Sequence, residues 1–321
     1  MLEALVNLLN IRKFGSEWRY DDEGHDLVTA LDDRPAEPGT RAYPISPEGP
    51  FGGGMSKGVG LVPGPIRNVI VEAGGMSRLL STVLWSAIRH PKGYWTDVIE
   101  EMHFTIQRSW LSITVALSGF LVMLSVPSMQ FLQLAGVSEL YGPLLLVQST
   151  RTFTVWVAAL LVAGVVGAAM TAELGSRKVR EELDAMSVMG IDPIRTLVVP
   201  RVVSITLVTT LLGIPAELIT VLSSQLSAKL IGGLSAADFY QFEWSTLSPV
   251  EVIALVGNCF LAGLLIGAVC AYKGITAEGG AMGLGKAVNQ AVVISFVALF
   301  VMQLGYNAVI LGLFPGLGDF R

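Results

Sequence analysis

Four stretches of this chain contain no aspartate, glutamate, lysine or arginine: Ser109 to Ser138, Thr152 to Ala172, Val252 to Tyr272 and Ala287 to Gly318. A fifth, Val202 to Ala228, is interrupted only by Glu217. About 20 apolar residues carry an α-helix across the hydrocarbon core of a bilayer, and every one of these runs reaches that length. Lipid offers the backbone no hydrogen-bond partner, so a spanning segment is a helix or part of a closed barrel, and long apolar runs without alternation are helices. Composition points the same way, with 52% hydrophobic side chains, 15% charged and a mean hydropathy of +0.61. The expected spans are 105–127, 143–172, 197–229, 250–272 and 287–313.

Net charge is -5, but where the cations fall says more than the sum. The loops 128–142 and 231–250 contain no lysine or arginine. Arg67, Arg78, Arg89, Lys92, Arg108, Arg177, Lys178, Arg180, Arg195, Arg201, Lys273 and Lys286 all fall on the other side of the five spans. The positive-inside rule then sets the N-terminus in the cytoplasm and, after an odd number of crossings, the C-terminus outside an inner (plasma) membrane.

Between the second and third spans lies a charged segment that cannot cross. Val179, Leu183, Met186 and Met189 recur at helical spacing, while Arg177, Lys178, Arg180, Glu181, Glu182, Asp184 and Ser187 fill the remaining positions. Ser176 is placed to cap the first amides and Gly190 to end the helix before Ile191-Asp192-Pro193, which predicts one short amphipathic helix over 176–190. Another helix is expected over 76–92, where Met76, Leu79, Leu80, Val83, Leu84, Ala87 and Ile88 share a face and Arg78, Arg89, His90 and Lys92 are available to lipid phosphates. Packing on protein explains that pattern equally; its place before the first span favours the membrane surface.

Residues 1–66 differ from the rest, with ten acidic and six basic residues, seven of the fifteen prolines and a Gly52-Gly53-Gly54 run. They bury too little apolar area to offset ordering entropy and read as a disordered cytoplasmic tail; Leu2, Leu5, Val6, Leu9 and Phe14 allow a brief amphipathic helix at its start. No cleavable signal peptide is read, because Glu3, Asn7, Asn10, Arg12 and Lys13 break up the apolar residues near Met1. The expected fold is therefore an all-α membrane protein: about five transmembrane helices, an N-terminal interfacial amphipathic helix and a short cytoplasmic helix, with the membrane domain over 67–321.

Signs of chemistry are sparse. Gly280 to Lys286 spells GxxxxGK, but Ala287 replaces the magnesium-holding hydroxyl, no strand precedes it and a span follows, so a tight turn is expected rather than a nucleotide site. His25, His90, His103, Cys259 and Cys270 have no zinc spacing, and no GxSxG elbow is present. The two cysteines lie eleven residues apart in one span, about 16 Å along a helix, and read as buried small hydrophobes. No catalytic residue, metal, cofactor or nucleic-acid partner is expected in this chain.

Two charges sit at membrane depth. A charge near the bilayer centre costs about 2.5–3.5 kcal/mol, so Arg151 and Glu217 are expected to face a cavity, a partner chain or each other. Glu217 either lines a polar path or bonds the backbone where Pro215 unwinds the third span; Arg151 is expected to snorkel to the outer interface. In the fourth span Gly263 and Gly267 form a GxxxG pair, read as helix packing rather than as a dimerisation face.

Two blocks carry a family resemblance. Ala172-Glu173-Leu174-Gly175, Arg180-Glu181-Glu182-Leu183-Asp184-Ala185-Met186, Met189-Gly190-Ile191-Asp192-Pro193-Ile194-Arg195 and Val199-Pro200-Arg201 together resemble the signature of MlaE-type permeases. Tyr272-Lys273-Gly274, Gly279-Gly280 and Gly283-Leu284-Gly285-Lys286-Ala287-Val288 are similar to that family's second block. Val288-Asn289-Gln290 and the long N-terminus are most similar to the YrbE subunits of actinobacterial Mce lipid transport systems.

The resemblance implies the membrane subunit of an ABC lipid transporter. Its partners would be a second permease chain, a pair of cytoplasmic ATPases holding ATP and magnesium, and MCE-domain proteins outside, with lipid import as the expected direction. Glu173, Arg180, Glu181, Glu182, Asp184, Met186, Met189 and Asp192 fall where the family couples to its ATPase, and Glu217 and Arg151 become lipid-path candidates. The chain departs from the family at Arg151-Thr152-Phe153-Thr154-Val155, where Arg-Glu-Leu-Gly-Pro is common, and at Val165-Val166, which lacks a family arginine. Those departures imply a less polar half-cavity and a heterodimer. Competing readings are a non-transporting scaffold of an envelope complex and an ion-coupled secondary lipid transporter.

Overall fold

A computed structural model of the protein describes residues 64–89, 94–137, 140–235, 237, 239–240 and 249–313. Nearly all of them are helical, and none of the described residues is in a strand. The expected tail, apart from its last residues, lies outside them. The helices are α1 (Gly64–Arg89), α2 (Trp95–Leu134), α3 (Tyr141–Val179), α4 (Glu182–Val188), α5 (Val199–Gly232), α6 (Pro249–Ile275) and α7 (Gly280–Leu313). Two compact units divide the chain, Met1–Arg78 and Leu79–Arg321; the first is described only over the N-terminal part of α1, and the second holds the bundle.

Five helices are long and apolar enough to cross a membrane: Ser109–Leu134 within α2, α3, Ile194–Leu230 leading through α5, α6 and α7. Within the second unit α5 is central, packing along α2 on one side and α6 on the other, while α6 also packs on α7 and on the C-terminal part of α3. Two glycines let α6 approach α5: a Cβ on Gly263 would stand 2.8 Å from Thr206 Cα, and one on Gly267 3.0 Å from Val202 Cγ1. The GxxxG pair thus serves packing within the chain. Cys259 and Cys270 are free and buried, the first against Gly213 and the second against Gly167. Phe131, Leu134, Leu218, Leu222, Val301 and Leu304 stand exposed on the outside of the bundle, a surface that suits lipid and not water.

Several elements differ from the sequence reading. Pro215 does not break α5, which runs as continuous helix through it; Pro200 sits in the first turn, where its missing N–H costs nothing. α3 is a single 39-residue helix, about 58 Å long, far more than a bilayer core requires. It is widened by two π turns, Ser149–Phe153 and Ala163–Gly167, and a third, Ile194–Val198, leads into α5. The GxxxxGK segment forms the opening turns of α7 rather than a turn; the Gly283 amide donates to the Gly279 carbonyl, and the chain reverses at Thr276–Gly279 instead. Over Leu79–Arg89, α1 buries Leu79 and Val83 in the core cluster and exposes Trp85, over which the Arg89 guanidinium lies at 5.5 Å.

Candidate functional site

Chemistry-bearing residues gather at two places, the end of the bundle that carries α4 and a polar cluster at the other end of α3. At the α4 end, the stem of α3 continues unbroken to Val179, so Gly175 and Ser176 are helix interior. Ser176 therefore caps nothing; its hydroxyl donates to the Glu173 carbonyl. The single amphipathic helix expected over 176–190 is divided at Arg180–Glu181, where Glu181 adopts a left-handed conformation (φ 60°), and α4 starts only at Glu182. Propensity and spacing both favoured continuity; a charged residue forced into left-handed geometry leaves no periodic signature.

That turn resets the helical phase, and the expected apolar stripe divides with it. Leu183 is buried and Met186 half-buried, whereas Val179 and Met189 are exposed together with Val188 and Ile191, which the periodicity did not single out. α4 ends in a Schellman motif: the Ile191 amide donates to the Met186 carbonyl and Gly190, at φ 79°, donates to Ser187. Asp192 faces the next helix, its Oδ1 accepting the amides of Ile194 (3.0 Å) and Arg195 (3.5 Å). Its position is explained by local capping.

Charges here are largely paired with one another. Lys178 Nζ holds Asp184 at 2.9 Å and so ties α4 to the stem of α3, while Arg180 pairs with Glu182 at 3.0 Å on the surface. Glu173 accepts from Arg177 at 3.3 Å and from Arg201. Arg201, only 8% exposed, also donates through Nε to Glu101 at 3.2 Å, so one guanidinium on α5 fastens α2 and α3. Arg201 and Glu101 line a cavity of about 230 Å³ between these helices. Periodicity gave neither residue this role; the available signal was an arginine at the mouth of an otherwise apolar span, which requires a carboxylate.

The second cluster is built by the first π turn of α3. The wider turn presents the hydroxyls of Ser149 and Thr150 to α5, where Glu217 Oε1 accepts them at 2.7 and 2.9 Å. It also frees the Arg151 carbonyl to accept Gln303 Nε2 of α7 (2.6 Å) and Asn258 Nδ2 of α6 (3.4 Å). The Arg151 side chain is paired: its Nη2 binds Glu251 Oε1 at 2.7 Å, and Glu251 is 3% exposed. Arg151 and Glu217 thus have separate partners rather than each other. Glu217 does not bond an unwound backbone at Pro215; it accepts from side-chain hydroxyls beside an intact helix. α3, α5, α6 and α7 all contribute polar groups to this cluster, with Asn307 reaching Thr152 at 3.4 Å and Thr154 bonding Thr220 at 2.9 Å. Glu251 escaped the sequence reading because an acid in the first turn of a span reads as an interfacial residue. Among the described residues no group of histidine, cysteine and carboxylate side chains is arranged to hold a metal.

Long apolar helices with a charged, non-spanning helix at one end and a polar cluster embedded among the spans define a multi-pass helical membrane protein. Residues 98–309 match the family described as Permease MlaE, and the chain belongs to that family. It is 27% identical over 229 residues to the chloroplastic protein Trigalactosyldiacylglycerol 1 of Arabidopsis thaliana, an alignment covering 71% of this chain and 64% of that protein, just under two thirds of its length. A probable ABC transporter permease of Rickettsia conorii is 27% identical over 229 residues, covering 71% of this chain and 88% of the relative. Another from Synechocystis is 26% identical over 224 residues, covering 70% and 84%. The matched region spans both polar clusters, the first four long helices and all but the last four residues of the fifth.

Proposed function

We propose that this chain is the permease subunit of an ABC lipid transporter of the Mce type, importing lipid through a path completed by a second permease chain. Energy comes from a pair of cytoplasmic ATPases, which hold the ATP and magnesium, and MCE-domain proteins pass lipid on the outer side. The chain itself performs no catalysis. Membership of the MlaE permease family supports the class, relatives named as ABC transporter permeases support the ATPase, and the lipid in the Arabidopsis relative's name supports the cargo.

The observation that carries the coupling role is the construction of α4. It is a separate short helix, set off by Glu181, pinned to the stem by Lys178–Asp184, and it turns Val188 and Met189 outward beyond the bundle. Outward apolar side chains on an otherwise charged helix suit the groove of a soluble partner, and a pinned helix passes on that partner's rigid-body motion. In this reading Met189 and Glu181 touch the ATPase, Glu173, Arg180, Glu182 and Asp184 keep α4 in place, Met186 packs beneath it, and Asp192 orders its exit. Glu217 and Arg151 belong to the polar wall of the lipid path.

The test is co-purification and uptake. Met189→Glu in the full complex is expected to lose ATPase co-purification and to reduce lipid uptake to background, with the permease still inserted. Retention of a working ATPase by that variant would refute coupling through α4, and uptake that follows the proton gradient without any ATPase would refute the transporter class.

A further inference from the structure

We propose that the cleft between the first turns of α2, the stem of α3 and the start of α5 binds a zwitterionic phospholipid of the leaflet on the α4 side, with the phosphate at Arg201 and Ser204. This deepens the lipid-permease reading and rests on it for the bilayer setting. The cleft comprises the cavity of about 230 Å³ and a neighbouring one of about 370 Å³, both lined by Glu101, Phe104, Glu173 and Arg201.

Two buried polar groups in its wall lack a partner. Arg201 Nη1 and Ser204 Oγ are each buried with no hydrogen bond, although Arg201 is 8% and Ser204 1% exposed. Three residues apart on α5, they share a face, and both can donate. An unsatisfied buried donor is destabilising, so a ligand offering oxygen acceptors at this depth is favoured. Below them the wall is apolar, formed by Val166 and Met170 of α3, Ile205 of α5 and Phe104 of α2. That surface suits the first methylenes of an acyl chain and gives a free inorganic anion nothing to bind.

The rim decides the net charge of the headgroup. Glu101 and Glu173 are held by Arg201, but Asp97 and Glu100 stand exposed at the mouth and form no ion pair among the described residues. Four carboxylates meet two guanidiniums, Arg201 and the Arg177 that also holds Glu173, so a net-anionic headgroup meets repulsion, while an ammonium group beside the phosphate offsets the excess. An uncharged diacylglycerol leaves the buried guanidinium donor without an acceptor.

The experiment uses the full chain with its co-purifying subunits in nanodiscs holding equal phosphatidylethanolamine and phosphatidylglycerol. Native mass spectrometry after transfer to detergent counts the retained lipid. Phosphatidylethanolamine is expected to be retained about tenfold over phosphatidylglycerol, a difference of about 1.4 kcal/mol. Ser204→Leu, which fills the cleft, is expected to lose that lipid. The double variant Asp97→Asn/Glu100→Gln, confined to exposed side chains, is expected to bring the two lipids to equal retention, and it serves as the test if Ser204→Leu fails to fold. Equal retention by the unaltered protein, or a double variant that keeps the full preference, overturns the proposal. Displacement of the lipid by excess inorganic phosphate reassigns the donors to a free anion and overturns it too. An unaltered protein that keeps the lipid but brings no ATPase with it would instead sink the transporter reading and leave this site standing.

Discussion

Glu251 shows how one side chain accounts for a charge that the lipid would otherwise reject. Arg151 enters a span ten residues after Tyr141, and the carboxylate that meets it comes from the first turn of α6, a hundred positions later in the chain. Removing one member of a buried pair typically costs about 3–5 kcal/mol, because the other is left in a poor solvent. Glu251→Ala is therefore expected to lower the thermal midpoint of the purified protein sharply, and Arg151→Met/Glu251→Leu to recover most of the loss, as read by fluorescence size-exclusion after heating. A double variant as unstable as the single one would show that the pair is not the source. Neither partner was legible alone: Arg151 announced a need for an anion, but Glu217 was the acid in view, and hydroxyls placed by a π turn answer Glu217 instead. Nothing in Ser149-Thr150-Arg151-Thr152-Phe153 signals an extra backbone residue per turn, since π turns arise from tertiary demand and not from propensity.

Among the elements, the long helices were readable because twenty-odd apolar residues have one outcome in lipid, whereas their joints were not. The break at Arg180–Glu181 is set by geometry that Glu181 tolerates at a cost, so Glu181→Gly is expected to leave α4 in place. Glu181→Val is expected to loosen it, a β-branched residue at positive φ being strained by about 1–3 kcal/mol. Hydrogen exchange over residues 182–189 reads the difference, and equal protection in the two variants would count against the left-handed turn. Helix packing offers a second comparison. Gly263→Ala is expected to cost about 1–3 kcal/mol, since its Cβ would meet Thr206 Cα at 2.8 Å and Thr209 Cβ at 2.9 Å. Gly164→Ala has nothing within 4 Å and is expected to be neutral, with thermal unfolding of the two proteins as the measurement.

For the molecule as a whole, the sidedness deduced from lysine and arginine placement leads to a labelling experiment. Cys259 and Cys270 are buried at 1% and 0% exposure, so the native protein is expected to resist a membrane-impermeant maleimide. Ser187→Cys on α4 is expected to label only from the cytoplasmic side, and Val137→Cys, after α2, only from the outer side. The reverse pattern would invert the topology and remove α4 from reach of a cytoplasmic ATPase. The number of spans was open to reading because long apolar runs tolerate errors of a few residues at their ends. The clusters were not, because each joins helices far apart in sequence: α2, α3 and α5 at Arg201, and α3, α5, α6 and α7 around Arg151.

On the side away from the cleft, the stem of α3 is seated against α6 and α7 with no clearance. A Cβ on Gly274 of α6 would stand 2.8 Å from Leu174 Cβ, one on Gly175 would run into Leu284 of α7, and the Thr171 hydroxyl reaches the Cys270 carbonyl at 3.1 Å. A shaft fitted this closely cannot turn inside its housing. A push on the Val179 end of α3 is therefore expected to carry α6 and α7 along with it.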